Sequence, residues 1–359
     1  HGPGVIYVSR PPRQAERAYL NDSVADLEPE VFTDRFDRPL AEWRTLADPT
    51  PLLSMFTDTT PERLINLTWD RQAQLLGYDV TPAVARPGQP VTVNFYWRSL
   101  TNQTFDERLF LQLIDAAGQP INQYEGEAFR EDMYRWRPDG LLPSQHTLWL
   151  GPDTPPGPYL VRLGFFDERT GQRLPILKDE GREAGMKAEE THPFANQIQL
   201  GLFYVSADGR DPRPPVLPLD ATFGETIQLI GVTLPGLEPI AAGGQLLELN
   251  PQPSTLTTTF HWRALRPTDR PYTVFLQLLD AQGQVVSSWD SQPFNGLYPT
   301  DLWSPGEVIA DTFLLPLPAG GLSSGHYRLI TGFYNFDTGQ RLPLAAGGDF
   351  ALLVEFEVK

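Results

Sequence analysis

Two ten-residue stretches of this chain nearly coincide. Phe110-Leu-Gln-Leu-Ile-Asp-Ala-Ala-Gly-Gln119 recurs as Phe275-Leu-Gln-Leu-Leu-Asp-Ala-Gln-Gly-Gln284, identical at eight of ten positions. The copies begin 165 residues apart (275 − 110), about one ordinary domain length. Each reads as a strand, an Asp-x-x-Gly turn and the start of a second strand. The same supersecondary unit therefore has to be built twice.

The repeat extends in both directions. Thr68 to Tyr78 aligns with Thr222 to Val232, and Val91-Thr-Val-Asn-Phe-Tyr-Trp-Arg98 with Leu256-Thr-Thr-Thr-Phe-His-Trp-Arg263. Both of the latter alternate, with Val91, Val93, Phe95 and Trp97, or Leu256, Thr258, Phe260 and Trp262, on one face. Such a period of two with one polar face belongs to an antiparallel sheet packed on one side. Further along, Trp136-Arg-Pro-Asp-Gly140 matches Trp303-Ser-Pro-Gly-Glu307, and Thr147 to Leu150 matches Thr312 to Leu315. Gly157 to Phe166 matches Gly325 to Tyr334, Thr170-Gly-Gln-Arg-Leu-Pro175 recurs at Thr338 to Pro343, and alternating strands at Gln197 to Val205 and Phe350 to Val358 close the copies. Short strands with frequent turns, in a chain with 36 prolines and 30 glycines, predict an all-β fold of two tandem immunoglobulin-like β-sandwiches. The expected divisions are an N-terminal arm or partial domain (1–65), a first sandwich (66–206), a stiff proline-rich linker (207–219) and a second sandwich (220–359). Within the arm, Val5 to Val8 reads as a strand and Arg13 to Leu20 as two helical turns, while 32–43 has no clean period.

The order of these motifs resembles a tandem sandwich module found in the extracytoplasmic C-terminal regions of large envelope proteins of Chloroflexi-like bacteria. Many of those proteins are similar to multispanning glycosyltransferases of the dolichyl-phosphate-mannose mannosyltransferase type. The likeness covers roughly residues 66–359, with Tyr298-Pro-Thr300 lacking a clear counterpart in the first copy beyond Tyr134. It implies a module type and an extracytoplasmic location at the cell surface or in the periplasm. It implies no activity, because the transferase's membrane helices and acidic loop are absent from this sequence.

Bulk properties narrow the function classes. A net charge of −17 disfavours nucleic acid and anionic lipid as partners. There is no cysteine, hence no disulfide framework or thiol chemistry. The first residue is His1 rather than Met, as expected of a mature or truncated chain, which places any signal peptide or membrane anchor outside it. Five scattered histidines show no metal-ligand spacing, and no phosphate loop or dinucleotide motif occurs, so no cofactor and no metal are expected. Gly321-Leu-Ser-Ser-Gly325 fits the nucleophile-elbow pattern, but Pro316 and Pro318 precede it and a strand follows, so it reads as a loop and the chain as no enzyme. Asp167 and Asn335 suit Asx turns better than calcium, which needs six or more oxygens. Triplets of the Asn-x-Ser/Thr type begin at Asn21, Asn66 and Asn102 and read as chance matches.

Trp97 and Trp262 belong on the core face of their strands, and His261 and the two arginines on the polar face. The binding candidates are aromatics beside carboxylates in loop-like sequence: Trp289, Asp290, Tyr298, Asp301 and Trp303, with Tyr134 and Trp136 in the first copy. Aromatic faces next to acids suit sugar rings and hydroxyls, and equally a protein interface. The competing reading is that Tyr298 and Trp303 fold back as apolar plugs of a sandwich end. Two function classes follow. One is a non-catalytic extracytoplasmic module binding a protein partner or cell-surface glycan. The other is a structural subunit of a surface layer, filament or membrane-associated complex, for which a homo-oligomer is the natural form.

Overall fold

The structure, a computed structural model, describes residues 4–9, 30–33, 39–46, 61–69, 72–100, 107–127, 141–178, 196–235 and 254–358. It divides into two compact units, His1–Thr60 and Pro61–Lys359. In the first unit β1 (Gly4–Ser9), β2 (Glu30–Thr33) and β3 (Pro39–Leu46) form an antiparallel sheet in the order β1-β3-β2. The strand expected at Val5 to Val8 lies within β1. The aperiodic stretch 32–43 contributes to two strands, Phe32 pairing with Ala41. A short alternation in β3, with Ala41 and Trp43 between Glu42 and Arg44, is obscured by the charges before it. The helical turns expected at Arg13 to Leu20 lie outside the described residues.

The second unit is all-β, apart from two short 3-10 turns among the described residues, and is built as four sheets. Its earlier half contains β4 (Arg63–Trp69), β5 (Ala73–Thr81), β6 (Val84–Ala85), β7 (Pro90–Ser99), β8 (Arg108–Asp115), β9 (Pro120–Glu127), β10 (Leu141–Trp149), β11 (Gly157–Phe166), β12 (Ile176–Lys178) and β13 (Ile198–Val205). These pair in the orders β10-β7-β5-β4-β12 and β6-β13-β11-β8-β9. The later half contains β14 (Leu217–Phe223), β15 (Ile227–Thr233), β16 (Thr255–Ala264), β17 (Thr273–Leu279), β18 (Val285–Ser291), β19 (Val308–Pro316), β20 (Gly325–Tyr334) and β21 (Ala351–Val358), in the orders β14-β15-β16-β19 and β18-β17-β20-β21. No helix among the described residues is long and apolar enough to cross a membrane.

Alternation carries through to burial. Val91, Val93, Phe95 and Trp97 of β7 face the core, as do Leu256, Thr258, Phe260 and Trp262 of β16. Trp97 packs edge-on against Trp69 and Phe165, whereas Trp262 stacks on Phe260 and meets Phe333 at a tilt. Asx turns close both Thr-Gly loops: Asp167 Oδ1 accepts the N–H of Arg169 and Asn335 Oδ1 that of Asp337. Gly321 to Gly325 is a turn leading into β20.

The repeat is also explained on the outer faces of its sheets. Phe110 stands opposite Gly164 and Phe275 opposite Gly332, each ring lying over the bare glycine backbone. Arg173 and Arg341, from the two Thr-Gly-Gln-Arg loops, then cover these rings at 4.5 and 4.2 Å. Three separated repeat motifs thus meet in one stack.

Three expectations are corrected. Thr147 pairs with Thr92, whereas Leu314 pairs with Thr257, the equivalent of Thr92; Thr147 therefore corresponds to Leu314 (314 − 147 = 167), two residues beyond the sequence alignment. β13 is not half-exposed but buried along its whole length, because its outer side meets the second sandwich. His261 is 1% exposed rather than free on the polar face. The proline-rich segment folds across it, so Nδ1 donates to the Arg213 carbonyl at 2.6 Å and Nε2 accepts from Thr233 Oγ1 at 2.9 Å. Burial accordingly pushes the imidazole pKa down.

A Cβ at Gly332 would lie 2.7 Å from the Phe275 ring. Gly332→Ala is expected to cost about 1–3 kcal/mol in urea unfolding, and the penalty should shrink in a Phe275→Ala background.

Candidate functional site

The structure separates the sequence-selected residues into two groups. Tyr298 and Trp303 do not form an exposed platform: they are 0% and 3% exposed. Trp303 Nε1 donates to the Tyr298 carbonyl at 3.0 Å, and both rings plug the end of the second sandwich. Asp301, half-buried, sits between them in the 3-10 turn Thr300–Leu302. Tyr134 and Trp136 lie outside the described residues.

Trp289 and Asp290 are on strand β18, not in a loop. Trp289 is 41% exposed. It stands opposite Leu276, whereas Asp290, opposite Phe275, points to the outer face and accepts a hydrogen bond from the Tyr334 hydroxyl at 3.2 Å. Burial, then the Asp290 charge, pushes the Tyr334 pKa up, so the phenol stays a donor. Around this pair the outer face presents Gln277, which accepts from Arg341 at 3.3 Å, and Arg341 itself, 3.6 Å from Asp349.

The first sandwich repeats the arrangement. Tyr124 and Glu125 of β9 stand opposite Leu111 and Phe110, the places held by Trp289 and Asp290 in β18. Tyr124 is 36% exposed, and its ring lies 5.3 Å from His146. Close by on the chain pairing, the Asn122 amide donates to the Trp149 carbonyl, as Ser287 Oγ does to that of Pro316. These paired bonds clip β9 to β10 and β18 to β19. Trp149, absent from the sequence-selected residues, is 61% exposed. Chemically, each part-exposed ring offers an apolar stacking face, with the adjacent carboxylate on the opposite face of the sheet. Among the described residues no group of three or more His, Cys, Asp or Glu could hold a metal ion.

The strongest electrostatic perturbation lies elsewhere, between the two sandwiches. Arg63 of β4 approaches Glu307 at 3.6 Å and donates to the Leu202 carbonyl at 2.9 Å. Glu307 accepts from the Tyr298 hydroxyl at 2.9 and 3.0 Å, and that hydroxyl meets the Tyr78 hydroxyl at 3.4 Å. Tyr78 in turn accepts the Gly201 N–H, and Tyr204 accepts that of Ala310 at 2.7 Å. Burial opposes the Arg63 charge, but Glu307 and the tyrosines outweigh it and hold the guanidinium pKa above its usual value. Burial raises all three tyrosine pKa values. Perturbed groups often mark active sites. Here the side chains are sealed inside one continuous apolar cluster, so the network is a joint.

No protein family matches the chain, and no curated protein matches it. Solved structures that resemble it include the crystal structure of the C-terminal domain of Wzt, at 14% identity over 43% of this chain and 85% of that one, with a TM-score of 0.24. A likeness of that size carries no functional argument.

Glu307→Gln should strand the Arg63 charge in the joint and destabilise Pro61–Lys359 by about 3–5 kcal/mol in chemical unfolding. An unchanged midpoint would show that the pair is solvated.

Proposed function

We propose that this chain is a non-catalytic, extracytoplasmic binding module of a bacterial cell-envelope protein, and that it takes glycan on the edge strands β18 and β9. The observation that carries the reading is the part-exposed Trp289 on edge strand β18, with Tyr124 in the equivalent place on β9. A ring edge-mounted on a sheet can stack on the C–H face of a pyranose. Mounting on strands rather than loops favours this, since little ordering is needed on binding. The motif order shared with envelope proteins, including mannosyltransferase-type ones, supports an attachment to glycan-handling machinery. A net charge of −17 favours neutral over acidic polysaccharide.

A second reading, a structural subunit of a surface layer, filament or membrane-associated complex, draws on the apolar residues of the sheet edge at β21, where Phe350 is 39% and Leu352 45% exposed.

Glycan-array binding followed by affinity electrophoresis distinguishes them. Trp289→Ala should weaken polysaccharide binding at least about tenfold without lowering the melting temperature, as its ring is part-exposed. Regular assemblies by electron microscopy with no glycan bound would favour the subunit, and turnover of a polysaccharide would contradict the non-catalytic assignment.

A further inference from the structure

One row of side chains crosses the outer face of the first sandwich. Gln199 of β13, Arg162 of β11, Gln112 of β8 and Gln123 of β9 are consecutive partners in register, so they share one side of the sheet. The equivalent row of the second sandwich reads Leu352, Ile330, Gln277 and Ser288. The frame accepts apolar residues at the first two places, and folding does not require an arginine there. Beside the row, Arg173 covers the Phe110 ring and donates to the Gln197 amide oxygen. Its counterpart Arg341 is matched by Asp349. The first copy has Asn196 at that place, its carbonyl lying beside Gly164 as that of Asp349 does beside Gly332. Arg162 donates to Gln112 Oε1 at 3.2 Å and to the Gly118 carbonyl at 3.1 Å, and among the described residues neither arginine forms an ion pair. Glu125, opposite Phe110 on β9, is exposed and pairs with neither. Burial, then the Arg173 charge, pushes the Arg162 pKa down. Arg162 Nε is buried with no hydrogen-bond partner, and so is Oε1 of Gln199, itself 1% exposed. Each unmet buried group costs stability. A cost present in one copy and avoided by the other marks a place built for something besides folding.

We propose that this face is a second glycan site, separate from the edge strands, which takes a uronic-acid residue of an otherwise neutral chain: Arg162 and Arg173 hold its carboxylate while Gln123 and Gln197 bond its hydroxyls. Guanidinium groups match a carboxylate in both geometry and charge. Side-chain amides donate and accept at once, as sugar hydroxyls do. Phe110 lies under Arg173, so the face offers charge and hydrogen bonds rather than an apolar pocket for a peptide side chain or an acyl chain. The net charge of −17 repels long polyanions, which limits the ligand to isolated acidic residues.

The test is isothermal titration calorimetry of the full chain at about 50 mM salt, with cellobiouronic acid and cellobiose as the probes. These disaccharides differ only in a carboxylate for a hydroxymethyl group. The acid should bind at least about tenfold more tightly, and its advantage should shrink at about 500 mM salt. Arg162→Ile installs the second copy's residue and should abolish the preference without lowering the melting temperature. Arg173→Ala, at an exposed position, should weaken the preference too and decides the matter if the first variant does not fold. Trp289→Ala should leave it unchanged, which keeps a failure here distinguishable from a failure of the edge site. Equal binding of the two disaccharides, no binding of the acid, or a preference that survives both arginine variants overturns the proposal. Inorganic sulfate displacing the acid at equal concentration would make the row a general anion site and overturn the sugar assignment.

Discussion

Taking a guanidinium and a carboxylate out of water together is costly, and removing either partner costs more than the pair returns. Arg63 and Glu307 are in that position, with side chains 12% and 5% exposed, one contributed by the first strand of the first sandwich and the other by the turn before β19 of the second. Arg63 also donates to the Leu202 carbonyl, and Glu307 also accepts from Tyr298, whose hydroxyl meets that of Tyr78. The network has low tolerance for a shift of one sandwich against the other, because Arg63–Glu307, Tyr78–Tyr298 and Tyr204–Ala310 all cross the boundary. A single apolar cluster runs through both halves around it. The proline-rich segment does not act as a free spacer in this setting, since its Arg213 carbonyl is fixed by His261.

Local patterning made most of the fold legible. Alternation in β7 and β16 identifies the buried tryptophans because both strands have one wet face, the circumstance in which a period of two is informative. The same rule fails at β13, where a second sandwich covers the outer side and leaves all eight residues buried. His261 departs from its expected exposure for the same reason: its polar side is covered by the Arg213 segment, far away in sequence. Tyr298 and Trp303 were ambiguous because loop aromatics look alike whether they point inward or outward. The joint itself carried no signal, since Arg63 and Glu307 are 244 residues apart (307 − 63) and neither lies in a recognisable motif. Contacts of that sequence separation are set by tertiary packing alone.

The repeat takes on a different meaning in three dimensions. Its near-identity encodes the stack of Phe on Gly under Arg on each outer sheet face, a scaffold device. Divergence begins at the neighbouring strand, where Tyr124 and Glu125 become Trp289 and Asp290. A rigid duplicated frame with changed edge residues suits a binding module, in which specificity is altered without disturbing the fold.

The joint depends on the two sandwiches being one cooperative body. Differential scanning calorimetry of residues Pro61–Lys359 tests it most directly. A shared core predicts a single transition whose van't Hoff and calorimetric enthalpies agree. Two resolved transitions, one for each sandwich, would contradict it.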